Sequence, residues 1–177
     1  MADDGSIVTR LDTDQAAGAP LANGEDTGPA AGIISQYVKD LSVENPAAPE
    51  SFAWTDAPQI DVQFNIAARA INDEVTEIEL KIAIASKCEA GSQFIVDLAY
   101  CGLVGMRGLD ESQMHAFTYA EAPRILFPFA RRVVAEAVRD AGFQPLLLEP
   151  IDFNGLYVQQ MEAQQAEGAG APPAGHA

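Results

Sequence analysis

The amino-acid sequence predicts an α+β fold: a four-stranded antiparallel Greek-key sheet, then a long helix and a C-terminal helix packed on one face. Three observations carry this reading. Between residues 33 and 104, apolar and polar side chains alternate with the period of β-strands. After residue 110 the spacing becomes helical, around the apolar run APRILFPFARR at 122–132. Of the connections between strand segments, two have hairpin length and the first is long, as a Greek key requires.

Residues 1–31 are rich in Ala, Gly, Asp and Pro, carry six acidic residues against one Arg, and are expected to be a disordered extension. The domain is expected over 32–163, followed by a low-complexity, disordered tail at 164–177 (QQAEGAGAPPAGHA). Within the domain, 33–44 is the first strand. Strict alternation puts Tyr37, Leu41 and Val43 on one face, with Val38, Asp40, Ser42 and Glu44 on the other. The stretch 44–58 (ENPAAPESFAWTDAP) holds three prolines and two aromatics, so it predicts an irregular crossover. The second strand, 59–66, turns Ile60, Val62, Phe64 and Ile66 inward and leaves Gln59, Asp61, Gln63 and Asn65 in water. Asn72, Asp73 and Glu74 form a turn into the third strand, 75–86, where Ile78, Leu80, Ile82 and Ile84 oppose Glu77, Glu79 and Lys81. A second turn at 89–92 leads to the fourth strand, 94–104. There Phe94, Val96, Leu98 and Tyr100 oppose Ile95, Asp97, Ala99 and Cys101.

Asp110 is placed to cap a short helical piece running through His115 to Tyr119. The main helix follows and ends at Gly142, a residue suited to a helix C-terminus. Pro123 suits a helix start, where its missing N–H costs nothing. Pro128 does not: inside a regular helix it removes a bond and crowds the carbonyl of Arg124, at about 3 kcal/mol. The chain is therefore expected to kink or to begin its regular helix at Pro128. Flanked by Ile125, Leu126, Phe127 and Phe129, such a defect needs tertiary or quaternary packing to hold it. Residues 143–150 read as an extended apolar connector, and 152–164 as a last helix capped by Asp152.

A chain of 177 residues is enough for one core. Its net charge of −16, with ten scattered basic residues, argues against nucleic acid and against anionic membrane surfaces as partners. The start, MADDGSIVTR, lacks the positive region of a signal peptide, and no apolar run is long enough to insert in a bilayer. Cys88 and Cys101 fit a reducing compartment, so a soluble cytoplasmic protein is expected. Neither His115 nor His176 has the spacing of a metal site or a nucleophile–base pair. Gly102, Gly105 and Gly108 lack the Gly-Lys-Ser/Thr of a phosphate loop and suggest a bend or bulge. No catalytic residue, metal or cofactor is expected.

Two surfaces remain as candidates. Asp40, Glu44 and Asp97, with Ile95 among them, form an acidic sheet face that is either simply solvated or a docking patch for a basic partner. Phe52, Trp54, Phe143 and Phe153 either cap the core or line an apolar groove for extended peptides. With 146–148, Leu156 and Tyr157, they exceed what one small core easily buries, a surplus that suggests oligomerisation or a groove.

Several separated segments together resemble one family. APRILFPFARR at 122–132, YVKDLSVENPAAP at 37–49, residues 93–104 and GFQPLLLEPIDFNGLY at 142–157 are similar, in order, to segments of the SecB family of bacterial protein-export chaperones. The resemblance spans 33–163. It implies a homotetramer, a dimer of dimers whose long helices pack between the sheets, with Ile125, Leu126, Phe129, Val133 and Val134 as packing residues. It implies an ATP-independent holdase that keeps unfolded preproteins export-competent and delivers them to the SecA motor of the Sec translocase. By position, Asp40, Glu44, Ile95 and Asp97 match the SecA-docking surface, with Ile and Asp at the last two in place of Leu and Glu. Phe52, Trp54, Phe94, Phe143, Phe153 and Tyr157 correspond to the client groove, and Gly155 is atypical in the final helix. Any zinc at the docking surface would belong to SecA. The alternatives are a SecB-like chaperone of a toxin–antitoxin pair, and a small-molecule binder or enzyme on the same sheet.

Overall fold

The structure is a computed structural model describing residues 28–169, with side chains through 166. Most of the two segments expected to be disordered, 1–27 and 170–177, lies outside the described residues. The first strand begins at Ala30 and the last helix runs to Ala169. The elements are β1 (Ala30–Glu44), a single 3₁₀ turn (Glu50–Ala53), β2 (Gln59–Ala70), β3 (Val75–Cys88), β4 (Gly91–Arg107), α1 (Glu111–Ala116), α2 (Ala122–Asp140) and α3 (Phe153–Ala169).

The strands lie in the order β1-β4-β3-β2, every neighbour antiparallel. Two hairpins join β2, β3 and β4, and the long crossover brings β1 back beside β4, which is the predicted Greek key. In the first hairpin, Asn72 accepts from the backbone N–H groups of Glu74 (3.0 Å) and Val75 (2.8 Å) through its Oδ1.

One face of the sheet is covered. Ile78, Leu80 and Ile82 of β3 and Val96, Leu98 and Val104 of β4 are fully buried beneath α2. The helix contributes Ala122, Leu126, Ala130, Val134 and Val138, a stripe at helical spacing. Gly102 is where helix and strand come closest: a Cβ there would stand 2.9 Å from a Leu126 methyl. Gly102 therefore serves close packing, while Gly108, with φ +66°, makes the expected bend where β4 ends.

Against β4, β1 bulges at Ile34 and Lys39, where the register shifts, and β4 bulges against β3 at Gln93. The two β1 bulges overturn the strict alternation expected for β1. Val38 lies opposite Tyr100, and Leu41 and Val43 lie opposite Leu98 and Val96, all on the covered face. Tyr37 lies opposite Cys101 on the open face, which also carries Asp40, Ser42 and Glu44.

The long helix also differs from expectation. Asp110 and Gln113 form a reciprocal capping box at the start of α1. A π turn, Phe117–Glu121, then leads into α2 with helical dihedrals on both sides, and the Ala122 N–H bonds the Phe117 carbonyl. This widened turn lies just before Pro123, which has no N–H to offer. Pro123 thus sits in the first turn of α2 but does not begin the helical path. Pro128 marks neither a start nor an interruption: α2 runs through it. Pro128 and Arg124 are both exposed, so water can serve the carbonyl left without a donor.

At the start of α3, Asp152 accepts from the Gly155 N–H at 3.0 Å, the expected cap. Gly155 is explained by that cap: a Cβ there would lie 2.5 Å from the Asp152 carboxylate.

Candidate functional site

The open face of the sheet combines apolar and acidic groups at one corner. Glu44 stands opposite Ile95, Ser42 opposite Asp97 and Asp40 opposite Ala99. The register thus brings Asp40, Glu44, Ile95 and Asp97 onto one surface, the first two exposed and the last two half-buried. Beside them, Ala99 leaves a depression of about 240 Å³, bordered by Asp40, Asp97, Glu79, Lys39 and Lys81.

Further along this face lies Glu77, which alternation had set opposite the apolar row of β3. The Glu77 side chain is only 5% exposed. Its carboxylate accepts from the Tyr37 hydroxyl, from Lys39 Nζ at 3.0 Å, and from Arg69 Nε and Nη2 at 3.1 and 2.9 Å. One side chain of β3 therefore ties β1 to β2 across β4. The Tyr37 hydrogen bond, then Lys39 and Arg69, hold the Glu77 carboxyl down at about 2. The same bond pushes the Tyr37 hydroxyl up to about 12. Burial, reinforced by Glu77 and Glu79, pushes the Cys101 thiol up to about 11, so it remains a protonated, buried group. No local sequence signal marks this network, because its donors come from positions 37, 39 and 69.

The aromatic residues divide into two clusters. In the first, Phe143 stacks between Phe52 (5.3 Å) and Phe94 (5.1 Å), and Trp54 lies over Gly91. In the second, Phe153 meets Phe127 at 5.7 Å, and Phe127 meets Phe64 at 6.0 Å. Nearby, Tyr157 on α3 hydrogen-bonds His115 Nδ1 of α1 at 2.9 Å. Within the chain, Phe94 and Phe153, expected in the client groove, are buried (4% and 3% exposed) in the core. Phe52, Trp54, Phe143 and Tyr157 keep exposed or half-buried surface. Leu126 and Val134, expected as oligomer-packing residues, are fully buried against the chain's own sheet. Ile125, Phe129 and Val133 retain outer surface on α2.

Beyond these clusters, the helix layer leaves apolar edges uncovered. Val38, Leu41 and Val43 on β1 and Ile60 and Phe64 on β2 remain exposed, as do Phe129 on α2 and Leu147 of the connector. Among the described residues, no cluster of His, Cys, Asp and Glu suits a metal ion, and no helix is long and apolar enough to cross a membrane.

The family model described as preprotein translocase subunit SecB matches residues 24–164. The chain belongs to the SecB family. It is 61% identical to the protein-export protein SecB of Novosphingobium aromaticivorans, covering 100% of both chains. It is 58% identical to that of Erythrobacter litoralis, again over 100% of both. With that of Sphingopyxis alaskensis the identity is 60%, over 85% of this chain and 88% of the relative. Among solved structures, the SecB-like chaperone of Mycobacterium tuberculosis, solved with an antitoxin peptide, shares the fold. Its TM-score is 0.59 at 17% identity, over 68% of this chain and 90% of that one. Membership in SecB makes the chain a protein-export chaperone, and relatives named for export do not favour the toxin–antitoxin alternative.

Proposed function

We propose that this chain is an ATP-independent, cytoplasmic holdase that binds unfolded preproteins on its apolar surfaces and passes them to SecA through its acidic sheet face. The observation that carries the division of labour is the β1–β4 register. It collects Asp40, Glu44, Ile95 and Asp97 on the open face while the uncovered Val38, Leu41, Val43, Ile60 and Phe64 lie on the covered side. Carboxylates around one apolar contact suit a basic partner surface, with charge steering the encounter. Phe52, Trp54, Phe143 and Tyr157 offer area to extended, apolar segments, each large side chain worth about 1.5–3 kcal/mol when fully buried. Many weak contacts of this kind give broad selectivity and fast exchange without chemistry. The exposed apolar residues of β1 and α2, Phe129 among them, are the surfaces on which a dimer of dimers would close.

Light scattering with and without a reduced, unfolded preprotein tests this reading. The chain alone should weigh about 75 kDa, four times its 18.8 kDa, and should gain the mass of bound preprotein. A stable monomer that ignores the preprotein would refute it.

A further inference from the structure

The acidic corner of the open face depends on one inserted residue. In β1, Val38 lies opposite Tyr100 and Asp40 lies opposite Ala99, so Lys39 is the extra residue of a bulge. Without the insertion Lys39 would face Ala99, and Asp40 would face Leu98, a fully buried residue. Ser42 and Glu44 would follow Asp40 onto the covered face, and Leu41 and Val43 would turn onto the open one. A slip of one residue exchanges the two faces of a strand.

Within one chain, burial specifies this phase weakly, and a second subunit closing on Leu41 and Val43 would add to it. β1 is an edge strand, held by one neighbour. Leu41 and Val43, which the bulge directs to the covered side, remain 42% and 38% exposed within the chain. The bulge itself is gripped by charge. Lys39 Nζ stands 3.0 Å from Glu77 Oε2 and 3.2 Å from Glu79 Oε2, reaching over the small side chains of β4. Glu77 is in turn held by Arg69 of β2 at 2.9 Å, so the grip is anchored at the far side of the sheet. Tyr37, two positions before Lys39, adds its hydroxyl to the same carboxylate.

We infer that Lys39, clasped by Glu77 and Glu79, is a positioning residue that fixes the phase of β1 and so decides which side chains the docking face presents. This rests on the docking role proposed above, and the test separates the two. Lys39→Met keeps the apolar stem and removes the charge. It should raise hydrogen exchange of the amides at 40–44 and weaken SecA binding, each by about tenfold, the scale of losing a charged hydrogen bond to a buried partner. Lys39→Arg should restore both. Asp40→Ala with Asp97→Ala should weaken SecA binding and leave β1 exchange unchanged. If that double variant binds SecA normally, the docking role is refuted, while exchange in Lys39→Met still judges the clasp. Unchanged β1 exchange in Lys39→Met, or faster exchange with normal SecA binding where the double variant fails, overturns the inference. Should Lys39→Met not fold, Glu79→Gln leaves Lys39 one carboxylate and predicts the same directions at smaller size. No change there overturns it equally.

Discussion

The two faces of the sheet are built from the same strands and held by different physics. The covered face is a continuous apolar layer in which Ile78, Leu80, Ile82, Val96 and Leu98 each meet several neighbours, so its order rests on no single contact. The open face is organised by a few charges centred on Glu77. Burial supplies stability that is spread over many residues, whereas a charged clasp supplies position through a handful of atoms. A chaperone that must stay folded while exchanging partners has use for both.

Disturbing the covered face should have the largest effect. Leu98→Ala opens a cavity at a fully buried site and should lower the unfolding free energy by about 2–5 kcal/mol in urea titration, reducing client holding and SecA binding together. A loss confined to one activity would contradict a core shared by both surfaces.

Next come changes that should separate the surfaces. Asp40→Ala with Asp97→Ala should lower SecA affinity by about tenfold or more, seen by calorimetry, and spare suppression of client aggregation. Phe52→Ala with Leu147→Ala should do the reverse, since both side chains are exposed and Phe52 packs on Phe143, outside the acidic set. Loss of both activities in either pair would show that the surfaces are not independent.

The smallest effect is acid sensitivity of the clasp. The Glu77 carboxyl is held at about 2, below its ordinary value of 4.5. The resulting stabilisation is fully present above about pH 4.5 and is lost as pH falls toward 2. Lys39, whose ammonium Glu77 holds above its ordinary value, stays charged throughout this range, and Tyr37, raised to about 12, stays neutral. Wild type should therefore lose urea resistance between these pH values by more than Glu77→Gln does. Equal pH dependence would remove Glu77 from the account.

Much of this was legible in sequence because it is local. Alternation located β2, β3 and β4 and predicted their buried side, and Asp110 and Asp152 marked helix starts through short-range caps. The acidic corner was also legible as a set of residues. Its phase within β1 was not, because strict alternation puts Tyr37 with Leu41, and only pairing with β4 reveals the bulges at Ile34 and Lys39. Phe94 and Phe153 looked like groove residues for a similar reason. An aromatic side chain carries no local mark of whether it faces the core or water.

By itself the sequence determined the order of elements, the covered side of the central strands and the family, since each rests on periodicity or on contiguous motifs. Tertiary structure alone decided which face Tyr37 joins, that Glu77 is buried among three donors, and that α2 runs on through Pro128. Those outcomes depend on contacts between positions far apart in the chain, where a strand's phase or a charge's burial is set by its neighbours in space.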